Sequence, residues 1–170
     1  MTARRKNASD THSILSDIAV AKLRSSGIEP AVALGAGIYS VEDARAQVHP
    51  EFATGPALVF QYYDVAGDPI FFTRDGELLQ FVRVRYLGDP PVTGFAKRAP
   101  QRYAQLRGSG VHAYFPRVSG IDWAKIASDP AINLVITEGE LKALSLCARD
   151  IAAIGLGGVD CFVQKQEQVS

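Results

Sequence analysis

The sequence predicts an α+β protein with a helical lead-in, a small antiparallel β unit and an α/β unit at the C-terminal end. Three observations predict it. Residues Ser13 to Ser26 place Ile14, Leu15, Ile18, Ala21 and Leu23 at mostly helical spacing. From Ala57 to Tyr86, aromatic and β-branched runs alternate with turn sequences, as in paired antiparallel strands. From Asn133 onward an apolar run stops at Thr137-Glu138-Gly139-Glu140 and a helix-like segment follows; a second apolar run, Ile151 to Ile154, then enters Gly155-Leu156-Gly157-Gly158. That last pattern is a strand, an acidic corner, a helix and a strand, with a carboxylate at the carboxyl end of the first strand, where open α/β sheets place their chemistry.

Taken in order, residues 1–11 are polar and are expected to form a flexible tail. The helical lead-in spans 12–48. Its first helix ends at Ser26-Gly27, where glycine suits the C-terminal turn. Glu29-Pro30 starts a second, short helix through Leu34. Gly35-Ala36-Gly37 breaks it, Ile38-Tyr39 is extended, and Ser40 with Asp43 has capping-box spacing for a helix from Val41 to Gln47. The β-rich unit spans 49–116. Ala57 to Tyr63 is its first strand and Ile70 to Arg74 its second; Asp75-Gly76 is a hairpin turn, and Leu78 to Tyr86 is a third strand. Residues 87–100 read as a loop, Arg102 to Leu106 and Ala113 to Phe115 as short extended pieces. The α/β unit spans 117–170. Ile121 to Ala127 is a short amphipathic helix, with Trp123 and Ile126 facing the sheet. Ile132 to Ile136 is a buried-type strand, Glu140 to Arg149 a helix, and Ile151 to Ile154 the next strand.

Composition narrows the function classes. The chain has 170 residues, 47% of them hydrophobic and 21% charged, which is ordinary for a globular protein with one good core. Net charge is zero, so the chain as a whole does not announce a nucleic-acid binder. Its charge is unevenly spread: Ile70 to Arg107 carries seven basic and three acidic residues, whereas Arg117 to Ser170 carries five basic and seven acidic ones. A basic middle beside an acidic end suits a phosphate-facing surface next to a metal-type site, and equally a solvated face. Cys147 and Cys161 are too few and too far apart for zinc, and the three histidines lack ligand spacing. Cys147, within an apolar helix pattern, is expected to be a buried small hydrophobe. No apolar run has membrane-spanning length, and the basic N-terminus is not followed by a signal-peptide core, so a reducing cytoplasm is the expected compartment.

Two groups of residues could carry chemistry. Glu138 closes a strand, Gly139 permits a sharp turn, and Glu140 sits in the first helical turn, where the helix dipole favours an anion. Such carboxylates serve as turn and dipole residues, as magnesium ligands, or as a general acid or base. Arg83 and Arg85, at i and i+2 on one strand, offer two guanidinium forks to one side, suited to phosphate oxygens. Lys97, Arg98 and Arg102 extend that track, and Tyr103 and Tyr114 could stack bases. The alternative is an edge strand bearing charged side chains toward solvent. Gly155-Leu156-Gly157-Gly158 lacks the spacing of a dinucleotide-binding turn, so no nicotinamide cofactor is expected.

The segment Leu134 to Ala143, with its Thr-Glu-Gly-Glu-Leu-Lys-Ala, followed by Ile151 to Val159, resembles the first half of a Toprim domain. It looks most like the Toprim-like domain of uncharacterised phage and plasmid replication (primase-like) proteins. Weaker pieces stand in the same order upstream: Ser26-Gly27-Ile28, Gly37 to Ser40, Tyr63-Asp64 with Gly67, Arg83 with Arg85, and Tyr114-Phe115-Pro116. The resemblance implies that Glu138 is the acidic site residue, acting as acid, base or magnesium ligand. It also marks Gly139, Lys142, Gly155, Gly157 and Gly158 as motif positions. Toprim phosphotransfer enzymes hold magnesium with a later Asp-x-Asp pair. None follows Gly158 here, and Asp160 stands alone. The resemblance therefore implies an incomplete Toprim-like half, truncated after the first acidic motif, with Glu138 and Glu140 as a partial metal site. Whether the chain is an enzyme stays open.

Three readings of function follow. In the first, the chain is a primase-like, replication-associated protein or fragment that contacts single-stranded DNA or RNA, with a helicase or another replication protein as a possible partner. In the second, it is a non-catalytic interaction or binding module of a mobile-element protein that kept the fold. A nucleotide-handling enzyme using Glu138 alone is a third. A half-built sheet is also expected to leave an exposed strand edge.

Overall fold

The computed structural model describes residues 14–88 and 102–157. The expected tail, Lys97, Arg98, Gly158 and Asp160 lie outside the described residues. The elements run α1 (Asp17–Ser25), α2 (Pro30–Gly35), β1 (Ile38–Val41), α3 (Ala44–Gln47), β2 (Ala57–Gln61), β3 (Phe71–Arg74), β4 (Glu77–Gln80), β5 (Val82–Tyr86), β6 (Tyr103–Gln105), α4 (Trp123–Ser128), β7 (Val135–Glu138), α5 (Glu140–Cys147) and β8 (Ala153–Leu156). The protein is α+β, as its sequence predicts. No helix among the described residues is long and apolar enough to cross a membrane.

A four-stranded antiparallel sheet in the order β1-β2-β5-β6 forms the centre. Strand side chains alternate between faces, and β2 is buried on both. Leu58 and Phe60 face a larger core with Ile38, Leu23 of α1, and Leu141 and Leu144 of α5. Ala57 and Val59 face a smaller core with Val41, Phe52, Val84 and Tyr86. Register places Arg83 opposite Phe60 and Arg85 opposite Leu58, so both arginines project from the face that carries the larger core. The face that the sequence assigns to two outward forks is thus turned toward α1 and α5.

The second unit is the parallel pair β7–β8, joined through α5. Tyr114 docks it to the rest: its N–H donates to Gly155 O at 2.8 Å, and Gly155 N donates back at 3.0 Å. Tyr114 then packs edge-on against Phe60, with ring centroids 6.0 Å apart, and against Tyr62 at 5.1 Å. Trp123 donates its indole N–H to Pro116 O at 2.9 Å and stacks edge-on against Phe115. Cys147 is fully buried, as expected of a small hydrophobe in this helix.

Several sequence expectations need correction. The helix expected from Val41 begins only at Ala44, capped by Asp43, whose side chain accepts from Arg45 N. Ser40 lies in β1 instead. Its hydroxyl accepts from Ser16 N and donates to Ile14 O, tying the chain before α1 to the sheet edge. The expected helical lead-in therefore supplies one strand of the central sheet. The third strand expected from Leu78 to Tyr86 is two strands. The Asp75-Gly76 turn, both residues at positive φ, forms the β3–β4 hairpin. Phe81 then donates to Ile70 O at 2.7 Å, and the chain crosses into the other sheet as β5. The run expected to be a buried strand is open to solvent, with Val135 38% and Ile136 52% exposed. Among the described residues β7 pairs only with β8.

Close packing of α5 on β8 depends on Gly155. A Cβ there would lie 2.9 Å from Gly139 O and 3.4 Å from the Ala143 Cβ. Gly155→Ala is expected to cost about 1–3 kcal/mol through strain at this contact. Leu144→Ala is expected to cost about 2–5 kcal/mol, because it opens a cavity in the larger core. Urea denaturation measures both, and a Gly155→Ala loss below about 0.5 kcal/mol, the range of an ordinary surface substitution, would show that α5 moves freely at this point.

Candidate phosphate-binding cleft

Glu138 ends β7, and Gly139 turns the chain at φ 86°, ψ 154°. Only glycine adopts that conformation without a steric cost. The turn has two consequences. It throws the next residue, Glu140, inward, to 1% exposure. It also leaves α5 without a side-chain cap, so its first N–H groups meet the space beyond the strand ends.

Glu140 is the hub of a buried polar cluster. Its Oε1 accepts from the Tyr62 hydroxyl and from Arg83 Nη1, each at 2.7 Å. Arg83 Nη2 reaches Gly157 O at 3.3 Å, so one guanidinium holds both the start of α5 and the end of β8. Burial works most strongly against the Arg83 charge, but the Glu140 carboxylate, Tyr62 and Tyr103 together outweigh it, and the guanidinium pKa is raised. Burial, then the Glu140 carboxylate, pushes the Tyr62 phenol far above its ordinary value, so it remains a donor. Three polar atoms of this region are buried without a partner: Glu140 Oε2, Arg83 Nε and Arg85 Nε.

Above this cluster lies a cleft of about 300 Å³, bounded by the carboxyl ends of β7 and β8, the first turn of α5, the end of α1 and the arginine face of β5. Lys22, Arg85 and Lys142 bring positive charge to it, and Glu138 brings negative charge. Tyr103 sits between the two arginines. Arg85 Nη1 donates to its hydroxyl at 2.6 Å, and the Arg83 and Arg85 guanidinium carbons lie 5.3 and 5.0 Å from its ring centroid. Burial first, then the charges of Arg85 and Arg102, holds the Lys22 ammonium below its ordinary lysine value.

The structure thus gathers Arg83, Arg85, Glu138, Gly139, Glu140, Lys142 and Gly157 around one cleft. Roles within it differ from expectation. Arg83 is 8% exposed and paired with Glu140 rather than presented outward. Glu140 is not placed as a metal ligand, because one oxygen already serves two donors and a guanidinium stands beside it. Tyr114, expected to stack bases, is 1% exposed and out of reach. Tyr103 is already covered by two guanidiniums, and Arg102 is exposed beyond the cleft. Gly155 serves the packing of α5 rather than the cleft surface. Lys22 and Ser26 were missed. Lys22 in the last turn of α1 and Ser26 at its C-cap lie four apart and on one side of the helix, but only the tertiary packing of α1 shows that this side meets the cleft.

Magnesium, which the resemblance implies, prefers several oxygen ligands. Among the described residues no group of three or more His, Cys, Asp or Glu is placed to share an ion. With Glu140 committed to Arg83 and Tyr62, only Glu138 brings an available carboxylate to a cleft whose other charges are cationic. The described donor set does not fit magnesium and does fit an anion.

With this geometry, the chain is an α+β protein carrying a cationic cleft at the carboxyl ends of a parallel strand pair. Residues 122–170 match the model of a family described as a domain of unknown function, DUF3854. Among the described residues that match takes in α4, β7, α5 and β8, including the Glu138–Lys142 turn. No curated protein matches the chain. Among solved structures, that of the DnaG primase catalytic domain bound to single-stranded DNA is similar at 14% identity and a TM-score of 0.47. The match covers 87% of this chain and 50% of that one, so this chain spans half its length.

The Arg83–Glu140 pair makes a direct prediction. Removing either partner strands a buried charge, so Arg83→Met and Glu140→Leu are each expected to cost about 3–5 kcal/mol. The double variant is expected to lose less than the sum of the two, with a coupling above about 1 kcal/mol. A double-mutant cycle in urea measures this. Additive losses would mean that the two side chains do not depend on each other.

Proposed function

We propose that this chain is a primase-like, replication-associated nucleic-acid-binding protein that holds the phosphates of a single strand in the cleft formed by α1, β5 and the first turn of α5. One observation carries the reading. Lys22, Arg85 and Lys142 converge from three separate elements on one concave surface, at the place where α5 presents uncapped N–H groups. Fixed cations and amides around a concavity make a phosphate site, because the anion meets donors that are already oriented. The Toprim-like pattern of Leu134 to Ala143 supports a replication setting.

The geometry also favours the non-catalytic form of this reading over a metal-dependent one. Glu140 is an internal counter-ion, and no group of three or more His, Cys, Asp or Glu among the described residues is placed to share an ion. Binding then rests on the cations.

Fluorescence anisotropy with a labelled single-stranded oligonucleotide tests this. The logarithm of the affinity is expected to fall linearly with the logarithm of salt concentration, and Arg85→Ala and Lys142→Ala are each expected to weaken binding and reduce the slope by about 0.7. Binding insensitive to both salt and these substitutions would overturn the reading. Chelation of divalent metal is expected to leave the affinity unchanged. Loss of binding in chelator would instead favour a metal-bridged phosphate.

A further inference from the structure

The charge balance of the cleft allows its ligand to be named more closely, on the assumption that the phosphate-binding reading holds. With the Arg83–Glu140 ion pair set aside as internally neutral, Lys22, Arg85 and Lys142 face a single carboxylate, Glu138. The excess is two positive charges. A phosphodiester carries one negative charge, whereas a phosphate monoester carries about −1.5 to −2 at pH 7.

Hydrogen-bonding capacity points the same way. The helix α5 has eight residues and is preceded by Gly139 at its N-cap, which has no side chain to cap it. Gly139 N is taken by Leu156 O at 2.8 Å, so the amides of the next turn, from Glu140 onward, are the donors that the helix offers to the cleft. Independently, the Arg83 guanidinium, held by Glu140 and Gly157 O, forms a fixed part of the wall of the same cleft. Arg85, from the neighbouring position on that face, is oriented by the Tyr103 hydroxyl and brings its charge to the same wall. A diester presents two free oxygens and needs an exit for the chain on both sides. A monoester presents three, which suits a site where cations converge from three elements.

We propose that the cleft is a metal-independent site for a terminal phosphate monoester, with Lys22, Arg85, Lys142 and the first-turn amides of α5 as its ligands. That chemistry is shared by the 5′-phosphorylated end of a strand and by a 5′-mononucleotide. The experiment compares 3′-labelled single strands of one sequence bearing either a 5′-phosphate or a 5′-hydroxyl, in chelator, with adenosine 5′-monophosphate and adenosine as competitors. The phosphorylated strand is expected to bind roughly tenfold tighter, the effect of one added charge-assisted hydrogen bond. Lys22→Ala and Lys142→Ala, both side chains outside the buried core, are expected to erase that preference. Competition by the monophosphate and not by adenosine supports the same site and assigns it to mononucleotides as well; no competition restricts it to strand ends. Equal binding of the two strands, with salt-dependent affinity retained and no monophosphate competition, would overturn the monoester site and leave the backbone-binding reading standing. Absence of binding by strands and monophosphate alike would overturn both.

Discussion

A charged side chain on a strand face that also carries Leu58 and Phe60 can stay buried only if its charge is answered there. Arg83 is in that position, and Glu140 answers it from the first turn of α5. Desolvating two ions is costly, and the cost is recovered only when geometry and additional hydrogen bonds are good. Here Tyr62 and Gly157 O supply those bonds. The pair links an antiparallel sheet to a parallel strand–helix–strand unit that is far apart in sequence. With that link in place, the α5 N-terminus and the β8 end stay fixed relative to β5, and the cleft between them has a definite shape.

The same pair also decides the chemistry of the cleft. By consuming Glu140 it removes one of the two carboxylates that the Thr137–Glu140 corner would otherwise offer a cation. What remains around the opening is mainly positive, drawn from α1, β5 and α5. A corner whose sequence suggests a magnesium site thereby becomes, in three dimensions, a surface for anions. Tyr103 between two guanidiniums adds to this by orienting Arg85 through a hydrogen bond to its hydroxyl and contact with its ring.

Much of this was legible in the sequence. The strand–corner–helix–strand unit followed from two apolar runs around Glu138-Gly139-Glu140, and the hairpin followed from Asp75-Gly76. The shared face of Arg83 and Arg85 followed from the two-residue period of a strand. Period alone does not say which face is covered, and so the arginines were expected to face outward. The inward turn of Glu140 was not legible either, because it depends on Gly139 adopting a conformation that local spacing does not reveal. Ser40 misled because a capping-box spacing also occurs where a serine hydroxyl closes a strand edge. The run at Ile132 to Ile136 misled because continuous apolar sequence marks a buried strand only when other elements cover both of its faces. Lys22 carried no local signal; it entered the cleft through the packing of α1.

The central claim is that a phosphate group seats against the first turn of α5, within a cation cluster organised by Arg83 and Glu140. The most direct test is to follow backbone amide resonances while titrating a short 5′-phosphorylated single strand. The account predicts that the amides of Glu140, Leu141 and Lys142 shift first and saturably, together with those of Lys22 and Arg85. Shifts confined to the β3–β4 hairpin or to β7, with the α5 amides unmoved, would contradict it.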